Sequence, residues 1–298
     1  MIGSQVCRDL VSRLGSKSIY GVDRESIHDS SLTAHQFSIA DVSRTEIVEL
    51  LDEIRPSLVV HAAAHPGGRS LVNPTVNVEV NALGSMRVFE WCARNQCKVL
   101  YLSSSIVYGE VMPIPIQEDA PTQPGTIYGV GKVACERWLE LLGFGYELDW
   151  VILRLFSTYG AGHRPSVDQG IVNVILTQLE LGGDLVVKGS LSRLRDLVHV
   201  SDASQAICTA IDVWPSRQIL NVCTGMGTSV GELIECIAAA KGLDISKVQL
   251  QEVEGTVGDP QYNVGNPTLA LQRMGFKSQI LPRDGIVQLL SQRRSNRV

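Results

Sequence analysis

The sequence lacks the features that direct a protein to a membrane or to a nucleic acid. None of its apolar runs reaches the length of about 18 residues that a membrane-spanning helix needs. Its 26 Lys and Arg residues are outnumbered by 31 Asp and Glu residues, and a net charge of −5 gives no basic surface for nucleic acid. The first residues lack the basic-then-apolar order of a signal peptide. We therefore expect a cytoplasmic protein that binds neither nucleic acid nor membrane.

The cysteines follow neither a metal-binding nor a disulfide pattern. The chain has seven of them, an odd number, and no two are spaced as Cys-x-x-Cys. Most stand within apolar stretches, which is typical of thiols buried in a core. We therefore expect reduced core thiols and no metal site.

What the sequence does contain is an alternation of apolar strands with helical segments. Its 298 residues and 44% hydrophobic content suffice for one large or two small domains. Strands that are apolar on both faces and separated by helices predict an α/β fold with a doubly wound parallel (Rossmann) sheet, which binds ligands at the carboxyl ends of its strands. The predicted strands cover 18–23, 58–64, 99–104 and 150–155, and the helices follow a capping box at 43–46 and cover 77–95 and 128–143.

After residue 156 the pattern changes to shorter strands, at 184–188 and 218–223, with helices near 168–180, 201–213 and 229–241. This predicts a smaller α/β lobe that binds the substrate and is interleaved with the first. The predicted division is a Rossmann domain of residues 1–156 plus about 196–222, and a second lobe of about 157–195 plus 223–298.

Two short motifs carry candidate chemistry. Ser104 ends a predicted strand, and Tyr128 and Lys132 stand one turn apart near the start of a predicted helix, so both side chains can face that strand end. A nearby ammonium lowers the pKa of a tyrosine from its usual value of about 10 and makes it a usable proton acceptor. A bare Tyr-x-x-x-Lys also occurs by chance, and then the tyrosine packs and the lysine is solvated.

Five motifs in order resemble the extended short-chain dehydrogenase/reductase family, in particular its NAD-dependent nucleotide-sugar epimerases and dehydratases. They cover nearly the whole chain. They are Val59–Ala64, Pro74–Ser85, Ser103–Gly109 with Tyr128-x-x-x-Lys132, Val151–Gly160, and Arg195–Asp202.

The resemblance implies a role for each candidate. Ser104 hydrogen-bonds the reacting sugar hydroxyl, Tyr128 is the acid/base, and Lys132 lowers the tyrosine pKa and holds the nicotinamide ribose. The carboxylate of Asp23 favours NAD over NADP, although Arg24 beside it weakens that preference. The implied cofactor-binding residues are Gly3, Asp23, Arg24, Asp41, Val42, Ala62, Ala63, Ala64, Asn81, Ser103, Tyr128 and Lys132, and the implied substrate-binding residues are Ser104, Ser105, Ser157, Arg195 and Asp259. Asp41 is equally explained as a loop aspartate that caps the next helix.

The sequence also departs from the family. It opens at Ile2-Gly3-Ser4, which matches only the last glycine of the Gly-x-x-Gly-x-x-Gly turn, so we expect an unpaired strand edge and a start codon misassigned by about ten residues. Ser105 and Ile106 replace the Asp and Glu of the 4,6-dehydratases, which argues against dehydration. Thr256 stands where an Arg is usual, and Gly131 replaces a Ser or Thr.

The function most consistent with these residues is NAD-dependent epimerisation at C4 of a UDP-hexose through a 4-keto intermediate. Two alternatives remain: a nucleotide-sugar dehydrogenase or 4-ketoreductase of the same family, or a non-catalytic NAD-sensing or RNA-associated protein that kept the fold. By the same resemblance, the helices at 77–95 and 128–143 pair across a twofold axis in a homodimer with a four-helix interface.

Overall fold

The computed structural model describes residues 1–26, 36–112, 114–163, 165–182 and 184–295. The strands are β1 Tyr20–Asp23, β2 Gln36–Ile39, β3 Leu58–His61, β4 Lys98–Ser104, β5 Trp150–Leu155, β6 Ser157–Tyr159, β7 Leu185–Lys188, β8 Leu194–His199, β9 Gln218–Val222, β10 Gly227–Ser229, β11 Leu250–Val253 and β12 Tyr262–Asn263. The α-helices are α1 Ile2–Leu14, α2 Glu46–Ile54, α3 Gly67–Ser70, α4 Pro74–Asn77, α5 Ser85–Arg94, α6 Ile127–Gly145, α7 Ile171–Leu181, α8 Val200–Val213, α9 Val230–Lys241, α10 Thr268–Met274 and α11 Pro282–Ser295. A π-helical segment, Val78–Gly84, joins α4 to α5.

The centre of the fold is a parallel sheet in the order β3-β4-β5-β9. Alternate residues of its strands face two separate apolar clusters. Leu100 and Leu153 lie in the cluster with α8, and Tyr101 and Ile152 lie in the cluster with α5 and α6. Because both faces are covered by helices, every residue of β5 is buried. The predicted doubly wound sheet is confirmed.

Strands β1 and β2 form a separate two-stranded parallel sheet. Among the residues that the structure describes, no ladder hydrogen bond joins this pair to the four-stranded sheet. The expectation of an unpaired strand edge is therefore confirmed. Helix α1 packs against α8, where the Ser204 hydroxyl donates to the Asp9 carboxylate at 2.5 Å.

The second half of the chain builds a smaller layer. Strand β8 pairs with β6, β10 and β12, and β7 pairs with β11. Helices α7, α9 and α11 bury a third apolar cluster against these strands. Strand β8 lies in this smaller layer. After it the chain returns to the four-stranded sheet, where α8 packs against β5. Among the described residues no helix is both long enough and apolar enough to cross a bilayer.

Candidate active site

The site forms where β4 ends and α6 begins. The Ser104 hydroxyl accepts a hydrogen bond from the Ile106 amide at 3.4 Å, and this closes a single 3-10 turn after the strand. Thr126 caps α6, its hydroxyl accepting from the Gly129 amide at 3.1 Å. A Cβ on Gly129 would lie 3.0 Å from the carbonyl of Ile106, so the first turn of α6 touches the turn after Ser104. The structure therefore brings the Ser104 and Tyr128 segments together, as predicted.

Lys132 is held at the same place by contacts of its own. The side chain is buried, and its ammonium donates to the Leu102 carbonyl at 2.7 Å. The Nζ atom lies 4.6 Å from the ring centroid of Tyr101 and 5.6 Å from that of Tyr128. Cation–π contact with two rings keeps the charge beside the phenol without a direct hydrogen bond to it.

The prediction that the pKa of Tyr128 is lowered is wrong. Burial raises the pKa of Tyr128 above its usual value, because the phenolate loses hydration. Burial also lowers the pKa of Lys132 to about 8, although nearby Cys135 and Glu136 act to raise it. Spacing predicted the neighbours, but the direction of each shift is set by burial, which spacing does not reveal.

The segment after β3, from its loop to the start of α3, lies beside the Tyr128 ring. A Cβ on Gly67 would lie 3.5 Å from that ring. Asn81 fixes the loop, since its amide oxygen accepts from the His65 backbone N–H at 2.6 Å and its amide nitrogen donates to the His65 carbonyl at 2.9 Å. Both polar ends of Asn81 are thus committed to backbone, and its place is to shape the loop. The exposed Ala63 and Ala64 lie in the same loop.

Gly131 allows α6 to approach the π-helical segment. A Cβ at this position would lie 3.1 Å from the side-chain oxygen of Asn77 and 3.8 Å from the Cβ of Asn81. The Asn77 amide nitrogen donates to the Ser70 hydroxyl at 2.7 Å. This close approach explains why a serine or threonine is absent, a departure that the sequence alone left without a chemical reason.

The remaining cofactor candidates lie at two other strand ends. Gly3, in the first turn of α1, faces the end of β3, where its Cβ would be 3.9 Å from that of Ala62. Asp23 ends β1 with an exposed carboxylate that accepts from the Glu25 amide at 3.1 Å. Although burial opposes it, hydrogen bonds from Ser43 lower the pKa of Asp41 below its usual value.

Three further candidates are placed as follows. Arg24 lies near enough to Asp41 to contribute to that lowering, which puts the ends of β1 and β2 side by side. Val42 packs on the π-helical segment, where a Cβ on Gly84 would lie 3.0 Å from its carbonyl oxygen. Ser103 is buried, and its hydroxyl donates to the Glu136 carboxylate at 2.5 Å. The Ser103 side chain therefore faces Glu136, contrary to its predicted cofactor contact.

The predicted substrate residues form a second group. Arg195 donates to Oδ2 of Asp259 at 2.7 Å, and Arg193 donates to the same oxygen at 2.5 Å. A pocket of about 270 Å³ adjoins Asp259. The Ser105 hydroxyl is buried and accepts from the Asn263 amide at 2.9 Å, and Ser157 lies in the ladder of β6 with β8. The pocket is lined by Glu110, Gln123, Gly125, Gly258, Asp259 and Pro260.

Two charged residues of the site were not predicted. Arg193 and Arg195 both donate to Asp259. The sequence signal that could have revealed Arg193 is its position two residues before Arg195, which places both side chains on one face of an extended chain. Glu136 is a buried carboxylate one turn after Lys132, and its signal was an acidic residue within an apolar helical run. In the part of the chain that the structure describes, no cluster of His, Cys, Asp or Glu has the form of a metal site.

Comparison with known proteins gives a consistent set of relatives. A family model described as the NAD dependent epimerase/dehydratase family matches residues 1–223. The chain is 30% identical over 269 residues to UDP-glucose 4-epimerase of Mycolicibacterium smegmatis, covering 89% of this chain and 85% of that protein. It is 26% identical to the putative UDP-glucose 4-epimerase of Methanocaldococcus jannaschii, covering 88% and 85%. The crystal structure of Thermus thermophilus UDP-glucose 4-epimerase in complex with NAD superposes with a TM-score of 0.87 at 26% identity, covering 99% of this chain and 96% of that one.

Proposed function

Because this chain belongs to the NAD dependent epimerase/dehydratase family, we propose that it interconverts the C4 epimers of a UDP-hexose with NAD as cofactor. The observation that carries the proposal is the position of Lys132 beside Tyr128 at the carboxyl end of β4. The relatives named UDP-glucose 4-epimerase support the choice of substrate and reaction.

The residues at the strand ends fit a dinucleotide. Helix α1 starts against the end of β3 and has no side-chain cap, so amides of its first turn are available to a pyrophosphate. In this proposal the exposed Asp23 carboxylate accepts ribose hydroxyls, and Lys132 donates to the second ribose. We propose Gly3, Asp23, Arg24, Asp41, Val42, Ala62, Ala63, Ala64, Tyr128 and Lys132 as its contacts. When bound, NAD supplies the acceptor and donor of hydride.

In this proposal Tyr128 moves the proton. Its phenolate takes the proton of the C4 hydroxyl, and its phenol returns a proton after the 4-keto sugar has turned over. The Ser104 hydroxyl holds the C4 oxygen by a hydrogen bond. Burial disfavours the phenolate. We propose that the positive charge of Lys132, whose Nζ lies 5.6 Å from the ring centroid, is the group that favours it.

The second group of residues suits the nucleotide. Two guanidinium groups, of Arg193 and Arg195, share one carboxylate oxygen of Asp259 and retain donors for a diphosphate. We propose that they bind the UDP moiety at the adjoining pocket, with Ser157 nearby on the sugar side. Ser105 supports the position of Arg195 through its hydrogen bond with Asn263, the register partner of Arg195 on β12.

The test is an assay of the purified full chain with NAD and UDP-glucose or UDP-galactose. We expect interconversion of the two sugars with no net accumulation of NADH. Stoichiometric NAD(P)H turnover would indicate a dehydrogenase or 4-ketoreductase instead. NAD binding without turnover of any C4-epimeric nucleotide sugar would indicate the non-catalytic alternative.

We also propose a homodimer that buries the exposed apolar face formed by the helical run 74–94 and α6. Val130 and Leu141 lie on one face of α6 and are 56% and 67% exposed. Val78 and Leu83 are exposed on the other run. We expect sedimentation as a dimer at micromolar concentration and dissociation in Leu141→Glu, whereas Leu181→Glu at the end of α7 leaves the dimer intact. A monomeric parent chain would contradict the proposal.

A two-lobe division and a reducing location complete the proposal. We infer a NAD-binding lobe built on the β3-β4-β5-β9 sheet and a substrate lobe that includes β8, because β8 pairs only with strands of the smaller layer among the described residues.

The seven cysteines are free thiols, and most are buried, which supports a cytoplasmic protein.

A further inference from the structure

A row of polar side chains crosses the sheet just below the candidate active site. Ser103, Arg154 and Asn221 are register partners on the adjacent strands β4, β5 and β9. All three are buried. Polar residues in the middle of an apolar parallel sheet are retained only where their hydrogen bonds are satisfied.

Glu136 joins this row to α6. It accepts from the Nε of Arg154 at 3.0 Å, from the Nη2 of Arg154 at 2.7 Å and from the Ser103 hydroxyl at 2.5 Å. Lys132, one turn earlier, donates to the Leu102 carbonyl. Two successive turns of α6 are thus tied to two successive residues of β4, which fixes both the rotation and the axial position of the helix that carries Tyr128.

Every guanidinium nitrogen of Arg154 donates a hydrogen bond. Its Nη1 donates to the Glu118 carbonyl at 2.9 Å, and its guanidinium lies 4.7 Å from the ring centroid of Tyr108. The Tyr108 hydroxyl in turn donates to the Asn221 side chain at 2.7 Å. The guanidinium therefore holds both oxygens of Glu136 by a planar, two-point contact that a lysine cannot reproduce.

We propose that Glu136 and Arg154 are positioning residues for Lys132: Glu136 supplies the negative charge that keeps the buried ammonium protonated, and Arg154 prevents that carboxylate from turning to pair with it. The ammonium then remains free to act on Tyr128. The titratable groups that face Lys132 are His61 on β3, Tyr101 on β4, and Tyr128, Cys135 and Glu136 on α6. Glu136 is the carboxylate among them, and Tyr108 and Glu118 face Arg154 on its other side.

The test follows the protonation of Lys132 directly. The full chain contains seven lysines, so selective ¹³C labelling of lysine gives few side-chain signals, and Lys132→Arg assigns the one of interest. We expect Glu136→Gln to lower the titration midpoint of Lys132 by about 1 pH unit and Arg154→Met to raise it by about as much. Arg154→Lys conserves charge but loses the two-point contact, so the midpoint still rises. Arg137→Gln, which alters an exposed charge of the same helix, serves as the control and leaves the midpoint unchanged.

Folding is checked by circular dichroism and thermal unfolding of each variant. If a single variant fails to fold, the double variant Glu136→Gln/Arg154→Met, which has no unpaired buried charge, is expected to fold with a midpoint near that of the parent. A folded Glu136→Gln or Arg154→Met single variant with an unmoved midpoint, or an unchanged midpoint in Arg154→Lys, overturns the proposal, and so does a double variant whose midpoint departs from that of the parent by about 1 pH unit or more. The catalytic role of Lys132 comes from the proposed function. The titration needs no substrate, so a chain that is inactive on UDP-sugars would contradict that function alone.

Discussion

The ammonium of Lys132 lies 5.6 Å from the ring centroid of Tyr128, one helical turn earlier on α6. Its hydrogen bond goes to the Leu102 carbonyl, so its position does not depend on the phenol hydroxyl. The lysine can therefore act on the tyrosine as a fixed charge, and the tyrosine can gain or lose its proton without moving its neighbour.

Tyr128→Phe should separate proton transfer from binding. The phenyl ring still fits beside Gly67 at the start of α3, but the group that carries the proton is lost. We expect kcat for UDP-glucose epimerisation to fall by about 10²–10⁴-fold with little change in the Kd for UDP. The measurement is the coupled assay together with calorimetric titration of UDP. A variant that retains more than about a tenth of the parent kcat would show that another group moves the proton.

Lys132→Met should stabilise the protein while it abolishes activity. The pKa of Lys132 is about 8 in the folded chain against 10.5 for an ordinary lysine, so between these values the unfolded chain holds a proton that the folded chain has released. The free energy of unfolding therefore rises with pH across that window, and below it the burial of the ammonium is fully destabilising.

The measurement is urea unfolding between pH 6.5 and 10.5. We expect Lys132→Met to be more stable than the parent at pH 7 by about 1–3 kcal/mol and to lose the rise with pH. Lys277→Met, at an exposed lysine, is the matched control and should keep the parent profile. A Met variant less stable than the parent at pH 7 would mean that the bond to Leu102 outweighs the burial of the charge.

What the sequence could predict was local. The spacing of Tyr128 and Lys132 placed them on one helix face, and the apolar runs located β4 and β5, because both signals depend on neighbours within a few residues. The pairing of Glu136 with Arg154 depends on the register of β4 with β5 and on the rotation of α6, and a local sequence pattern predicts neither of them. The sharing of Asp259 by Arg193 and Arg195 joins segments 64 and 66 residues apart. For the same reason the direction of the Tyr128 pKa shift, which burial sets, was predicted wrongly.

Two glycines of α6 should respond oppositely to alanine. A Cβ on Gly129 would lie 2.6 Å from the Cβ of Pro124 and 3.0 Å from the Ile106 carbonyl, whereas a Cβ on Gly145 meets nothing within 4 Å. We expect Gly129→Ala to lower the free energy of unfolding by about 1–3 kcal/mol and to reduce kcat, since it displaces the turn that carries Tyr128. Gly145→Ala should leave kcat unchanged and stabilise the helix by up to about 1 kcal/mol. Thermal unfolding and the epimerase assay of the two variants compare them directly, and equal effects would contradict the close approach at Gly129.

The shared carboxylate at Asp259 predicts how UDP is bound. Each arginine gives one donor to Oδ2, and a guanidinium has five N–H donors in a planar fork, so donors remain for phosphate oxygens. Replacing either arginine with glutamine removes a charge-assisted hydrogen bond and leaves the other arginine neutralised by Asp259. We expect Arg193→Gln and Arg195→Gln each to weaken UDP binding by about 10-fold or more, a loss of about 1.4 kcal/mol, with a larger effect on KM than on kcat.

Calorimetric titration of UDP measures this weakening without NAD or turnover. Arg217→Gln, an exposed arginine just before β9, is the control and should bind UDP as the parent does. If both site variants bind UDP as tightly as the control, the arginine pair holds the smaller lobe together through Asp259, and the diphosphate is bound elsewhere.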